Sequence, residues 1–150
     1  MWCSLFLLFM EIKVPIEVVE LETNSFHIIT TVQIGCLEGD FIIDTGASVT
    51  VIDKGTPFSF ETVKEPTEIH SGSVSGMIEE VQAVCLTTFT IGNHQLQNVQ
   101  AVLIDLQHVN RLYEQHAHRR VAGLLGCDFL WHHRAVIDYE NCWLILKVSV

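Results

Sequence analysis

The sequence predicts a mainly β protein of one domain, arranged as a barrel or a sandwich. Short runs rich in Val, Ile and Thr alternate with turn residues, which is typical of many short strands. Apolar residues make up 49% of the 150 residues and charged residues 17%. The chain is therefore globular rather than disordered, and long enough to bury a core of ordinary size. It contains no internal repeat, low-complexity segment or linker.

The first half of the chain predicts two strands, a hairpin return and a further short strand. Residues 14–20 and 26–34 are rich in β-branched side chains, and the second run ends in a turn over 35–40 that holds two glycines. Residues 41–44 then return as the hairpin partner. Another β-branched run follows at 49–52 and stops at a turn beginning with Asp53.

The second half predicts further strands and two places for a helix. The strand-like ranges are 77–91, 96–106, 135–138 and 143–148. The segment 107–120 is polar and rich in His and Arg, which indicates a short helix or a surface loop. Asp128 is placed to cap a short helix over 129–133.

The charge distribution disfavours nucleic acid as a partner. The formal net charge is −10, and residues 1–80 hold 13 acids against 3 bases. The negative charge of residues 1–80 repels the phosphate backbone of nucleic acids. The longest basic run is Arg119-Arg120, without interleaved aromatic residues.

The five cysteines indicate a reducing compartment, and we expect a cytoplasmic protein. Their odd number and the lack of a C-x-x-C pair argue against a disulfide framework or a zinc knuckle. Four of them lie in strand-like or turn-like stretches beside apolar residues or Gly, where Cys commonly acts as a small buried hydrophobe.

The N-terminal 25 residues are predicted to be an extension or a strand ahead of the main domain, which spans 26–150. Residues 5–10 are apolar but too few to cross a membrane, and no basic region precedes them. We expect a short strand, or an upstream extension before a start at Met10, rather than a stable membrane span. Export or anchoring through this apolar stretch is the alternative.

The most specific motif is the run of residues 42–48, with the sequence IIDTGAS. It places Asp44 at the end of an apolar strand, where an ionised and unpaired carboxylate is costly. Thr45 and Ser48 supply hydroxyl groups within reach, and Gly46 allows a backbone N–H to approach the carboxylate closely. The motif predicts a tight loop that holds one Asp rigidly.

Asp44-Thr45-Gly46-Ala47-Ser48 resembles the active-site loop of the aspartic proteases, and the chain resembles the single-lobe, retropepsin-like members. The resemblance covers about residues 26–148 and is closer to the cellular and bacterial members than to the viral ones. It implies a closed β-barrel with one or two short helices. It also implies that Asp44 is catalytic and Thr45 clasps the loop across a dimer, while Gly46 orients the carboxylate and Ser48 bonds to its outer oxygen.

Two further segments match this family. Residues 121–130 resemble the apolar segment beneath the active-site loop, followed by its short helix; its core is Gly123, Leu124, Leu125 and Gly126. A small and flexible stretch falls where these proteases carry the flap, a hairpin that covers the bound peptide. That stretch consists of Ser71, Gly72, Ser73, Val74, Ser75 and Gly76.

One D-T-G motif in the chain predicts a homodimer. Aspartic protease chemistry uses two carboxylates that share a proton. The other aspartates, at 40, 53, 105, 128 and 138, have no Thr-Gly after them. A two-fold dimer brings Asp44 against its own copy and supplies the pair. The predicted function is an aspartic endopeptidase without a cofactor, acting on an extended peptide.

Other interpretations of the sequence have less support. His116 and His118, with His108 and the pair His132-His133, suggest a metal site, but residues two apart on a helix do not share a face. We expect no metal. No G-x-S-x-G is present, and neither Cys85 nor Cys127 lies in the local signature of a thiol nucleophile. The main alternative is a non-catalytic peptide-binding or dimerisation module on the same barrel.

Overall fold

The protein is mainly β with two short helices, which confirms the predicted fold class. The structure, a computed structural model, describes residues 8–58, 61–62 and 81–150. The first strands are β1 (Phe9–Pro15), β2 (Glu17–Glu22), β3 (Ser25–Ile34), β4 (Leu37–Ile43), β5 (Val51–Asp53), β6 (Glu61–Thr62) and β7 (Gln82–Leu86). The remaining elements are β8 (Phe89–Ile91), β9 (His94–Leu96), β10 (Val99–Ile104), α1 (Gln107–Ala117), β11 (Val121–Leu125), α2 (Cys127–His132), β12 (Val136–Asp138) and β13 (Trp143–Ser149).

The strands form a curled, half-barrel sheet and a small second sheet. The large sheet has the order β6-β7-β10-β5-β11-β4-β3-β8-β9, and β2 pairs with β3 outside this path. The small sheet has the order β1-β13-β12. Their buried faces share one core cluster, so they pack as one body. Its fully buried members include Val14, Val32, Phe41, Ile52, Leu86, Leu125, Leu144 and Leu146.

β11 lies in the middle of the large sheet, between the two strands that flank the D-T-G loop. It runs parallel to β4, with Leu125 opposite Ile43, and antiparallel to β5, with Gly123 opposite Ile52. A Cβ atom on Gly123 would lie 2.3 Å from the carbonyl oxygen of Val51. Glycine at this position therefore lets β11 fit closely against β5 beneath the loop.

The N-terminal strands are paired with distant parts of the chain. β1 pairs with β13, where Met10 lies opposite Val148, and β2 pairs with β3. The domain boundary at residue 26 stays a prediction. In the described part of the chain, no helix is long and apolar enough to cross a membrane.

The segment 107–120 forms α1 and then returns to β11 through Arg119 and Arg120. Tyr113 is 1% exposed, and its hydroxyl lies 2.7 Å from Nδ1 of His27 on β3. Burial raises the pKa of Tyr113 to about 12, and the nearby charge of Arg119 lowers it by less. Arg119 contacts Glu17 at 2.9 Å and Asp40 at 3.1 Å. The basic pair therefore fastens the helix to acids of the front half.

Several predicted boundaries were wrong. The β3–β4 hairpin turns at Gly35 and Cys36, and Leu37 already pairs with Ile34, because the backbone of Gly35 has a φ of 62° that permits a tight turn. The predicted strand over 96–106 is two strands, since Asn98 adopts a φ of 57° between β9 and β10.

The prediction that most cysteines are buried was also wrong. Within the described residues, Cys36, Cys127 and Cys142 are exposed and Cys85 is half-buried, and all four are free thiols. The three exposed cysteines lie where strands or helices begin or turn.

Candidate active site

The D-T-G loop connects β4 to β5, and β11 holds its beginning. The backbone N–H of Asp44 donates to the carbonyl of Leu125 at 3.0 Å, which continues the pairing of β4 with β11 by one residue. In the single chain, Asp44 is half-buried, while Thr45, Gly46 and Ser48 are exposed. The carboxylate that the sequence predicts to be buried is thus partly open to solvent in this chain.

The carboxylate of Asp44 is held by the loop's own backbone. The N–H of Gly46 donates to Oδ1 of Asp44 at 2.9 Å, the close approach that the sequence predicts. The N–H of Ala47 donates to the Asp44 carbonyl at 3.2 Å. Among the described hydrogen bonds, none joins the Asp44 carboxylate to the hydroxyl of Thr45 or Ser48, so the predicted roles of these hydroxyls stay predictions.

The first turn of α2 forms hydrogen bonds with the middle of the loop. The N–H of Cys127 donates to the carbonyl of Ala47 at 2.7 Å, and the Cys127 thiol lies 2.9 Å from the carbonyl oxygen of Thr45. A Cβ atom on Gly126 would lie 2.4 Å from the Val49 carbonyl oxygen. The glycine therefore allows α2 to begin directly against the loop.

Thr50 and Asp128 join the end of the loop to α2. Thr50 is fully buried; its hydroxyl donates to Oδ1 of Asp128 at 2.8 Å and accepts the N–H of Gly126 at 3.2 Å. Asp128 is not the helix cap that the sequence predicts, because α2 begins two residues earlier and Gly126 occupies the cap. Its carboxylate instead accepts hydrogen bonds from the Thr50 hydroxyl and from the N–H of Phe129.

A second buried carboxylate, Asp53, was missed by the sequence analysis, which placed it in a turn. Asp53 is 1% exposed at the end of β5 and accepts hydrogen bonds from the Leu106 N–H at 3.0 Å and from Arg120 at 3.1 Å. Asn110 of α1 donates to the same carboxylate at 3.4 Å and pairs with both backbone groups of Val121 at the start of β11. The available signal was the sequence Val51-Ile52-Asp53, an acid at the end of an apolar strand like Asp44 itself.

The structure places the remaining predicted residues as follows. Gly123, Leu124 and Leu125 lie in β11, and Gly126 is the cap of α2. The predicted flap, residues 71–76, lies outside the described residues. Within the described ranges, no group of three or more His, Cys, Asp or Glu side chains is close enough to hold a metal ion.

A cavity of about 700 Å³ lies beside α2 and does not include Asp44. Its lining combines residues 95–100 with Asp128, Phe129, His132, His133 and the last three residues of the chain. Burial lowers the pKa of His133, whose ring lies 4.6 Å from that of Phe129. The acid in this cavity, Asp128, is bonded to the buried Thr50 hydroxyl, whereas the half-buried carboxylate of Asp44 is held by the backbone of its own loop.

The comparisons with known proteins agree with this geometry. The sequence model of the family described as "Aspartyl protease" matches residues 30–129, which include the loop, β11 and the start of α2. A solved structure of a retropepsin-like aspartic protease from Rickettsia conorii superposes with a TM-score of 0.54 at 16% identity, over 95% of this chain and 94% of the other. Comparison with curated proteins found no match.

Proposed function

The chain belongs to the aspartyl protease family and is an aspartic peptidase, and we propose that it cuts peptide bonds with two Asp44 carboxylates, one from each subunit of a homodimer. The observation that carries this proposal is the state of Asp44 in a single chain. Its carboxylate is fixed by the Gly46 N–H at 2.9 Å but is only half-buried, on a loop whose neighbouring residues are exposed. One subunit therefore supplies one oriented carboxylate, and the exposed loop around it is free to contact a second subunit.

A second copy supplies what the single site lacks. Two carboxylates at close range share one proton, because two like charges at that distance do not both ionise. A two-fold axis beside the loop places Asp44 opposite its own copy. The pair then titrates as a unit, not as two independent groups.

In this proposal the ionised Asp44 acts as general base on a water molecule, and its protonated partner donates a hydrogen bond to the scissile carbonyl. The Gly46 N–H orients the carboxylate. Thr45 clasps the loop of the other subunit, and Ser48 bonds to the outer carboxylate oxygen. Residues 71–76 act as the flap over the substrate, where a lid excludes water and bonds to an extended chain.

The substrate class follows from this arrangement. A cleft between two symmetric copies, closed by a flap from each, takes a peptide in extended conformation. We expect apolar side chains on both sides of the bond that is cut.

The experiment compares the wild type with Asp44→Asn on a diverse peptide mixture, scanned between about pH 4 and 7 and analysed by mass spectrometry. We expect the wild type to cleave and Asp44→Asn to be inactive. The matched control is Asp105→Asn, which makes the same chemical change at an exposed site; Asn keeps an oxygen to accept the 2.9 Å hydrogen bond from the Gln107 N–H.

Each outcome has a distinct meaning. Equal cleavage by the wild type and Asp44→Asn would show that Asp44 is not the catalyst. If all three proteins are folded dimers and none cleaves, the non-catalytic module becomes the better description. A fully active monomer in sedimentation would contradict the two-subunit site.

A further inference from the structure

Trp131 projects from α2 with 87% of its side chain exposed. Burying a tryptophan removes a large apolar area from water, so it contributes strongly wherever it lies inside a contact. Within the described part of its own chain, this side chain has little cover. The position therefore suggests a surface that another molecule covers.

Trp131 lies on the face of α2 that touches the catalytic loop. It is four residues after Cys127, and residues four apart lie on the same face of a helix. Long helical side chains also lean back towards the helix N-terminus, which here points towards Cys127. The Cys127 thiol lies 2.9 Å from the carbonyl oxygen of Thr45. Thr45, Cys127 and Trp131 are all exposed.

This face has few charges, although the chain as a whole has many. Two copies with a formal charge of −10 each repel one another. Their contact is least costly where exposed residues are uncharged, as they are at Thr45, Ser48, Cys127 and Trp131. The one acid in this turn, Asp128, is also exposed, and its carboxylate accepts a hydrogen bond from the Thr50 hydroxyl.

Arg134 connects the end of α2 to the small sheet. The N–H of Arg134 donates to the carbonyl of Trp131 at 3.1 Å, and the Arg134 guanidinium lies 5.3 Å from the centre of the Phe9 ring. Phe9 is 47% exposed and belongs to β1, whose outer edge is unpaired within the described strands. α2 therefore contacts the loop at its first residue, and the residues after it contact β1 through Arg134.

We propose that Trp131 anchors the contact between two copies of this chain at which the Asp44 loops meet. This inference rests on the proposed function, because the need for a second Asp44 brings a second copy to this face. In a two-fold contact each residue is used twice, so the two Trp131 side chains supply two anchors beside the paired loops. Trp131 contributes to activity through assembly and does not touch the reacting atoms.

The experiment measures the dimer dissociation constant by sedimentation for the wild type, Trp131→Ala and Trp131→Phe. We expect Trp131→Ala to raise this constant at least about tenfold, since tryptophan is the most common energetic anchor of protein contacts. Trp131→Phe should fall between the two. The matched control is Leu112→Ala on α1, which truncates another exposed apolar side chain, 48% exposed, and should leave the constant unchanged.

A second readout separates assembly from catalysis. Specific activity is measured against protein concentration, and for Trp131→Ala it should be low when dilute and return to the wild-type value when concentrated. A loss that concentration does not restore would overturn the proposal. Because Trp131 is exposed, the thermal midpoint of the isolated subunit should be unchanged, which shows that the variant is folded.

The failures of the two proposals are distinguishable. A wild-type dimer with an unchanged dissociation constant in Trp131→Ala overturns the anchor and leaves the two-subunit site in place. A wild type that is monomeric at every concentration overturns both.

Discussion

The hydroxyl of Thr50 donates a 2.8 Å hydrogen bond to the carboxylate of Asp128, across 78 residues of sequence. Thr50 follows the D-T-G loop, and Asp128 lies in the first turn of α2. The same hydroxyl accepts the N–H of Gly126. The Thr50 side chain therefore holds the end of the loop at a fixed distance from α2.

Replacing Thr50 by Val should destabilise the protein by about 1–3 kcal/mol, because the buried N–H of Gly126 loses its acceptor while the side-chain volume is nearly kept. Urea denaturation measures the change. Thr87→Val is the control, since Thr87 is exposed and should tolerate the same substitution. Equal stability of the two variants would show that the two hydrogen bonds of the Thr50 hydroxyl contribute little.

Replacing Asp53 by Asn should lower the free energy of unfolding by about 2 kcal/mol or more, because hydrogen bonds to a charged, buried acceptor are among the stronger ones. The carboxylate is 1% exposed and serves Leu106, Asn110 and Arg120. An amide in its place brings an N–H group against these donors. Glu114→Gln makes the same change on the exposed side of α1 and should have little effect.

The protein should lose stability through His133 as the pH falls. Burial lowers the pKa of this histidine from its usual 6.5 and outweighs the raising effect of the Lys147 carbonyl. The unfolded chain then binds a proton that the folded chain resists, so the free energy of unfolding falls as the pH drops below about 6.5.

Urea denaturation at pH 7 and at about pH 5 tests this contribution. In His133→Gln the difference between the two pH values should be smaller than in the wild type. His108→Gln, at an exposed position on α1, should leave the difference unchanged. An undiminished difference in His133→Gln would assign the acid sensitivity to other groups.

The sequence predicted the features that depend on local pattern. β-branched runs between turn residues are enough to predict a mainly β fold, because strand formation reflects the alternation of nearby side chains. The run IIDTGAS at 42–48 likewise carries its own chemistry, since Gly46 and Asp44 are two residues apart and their contact is made within the loop. For residues 107–120 the sequence indicates either a helix or a surface loop, because a polar composition is compatible with both.

The features that the sequence did not predict depend on residues brought together from afar. Asp53 has the same apolar-apolar-Asp setting as Asp44, but its burial depends on Asn110 and Arg120, 57 and 67 residues away. The exposure of Cys127 and Trp131 similarly depends on how α2 packs against the loop and the core. Local pattern determined the fold class and the D-T-G motif of this protein. Only the tertiary structure decided that the carboxylate of Asp53 is fully buried while that of Asp44 is partly open to solvent, because burial and hydrogen bonding depend on partners distant in the chain.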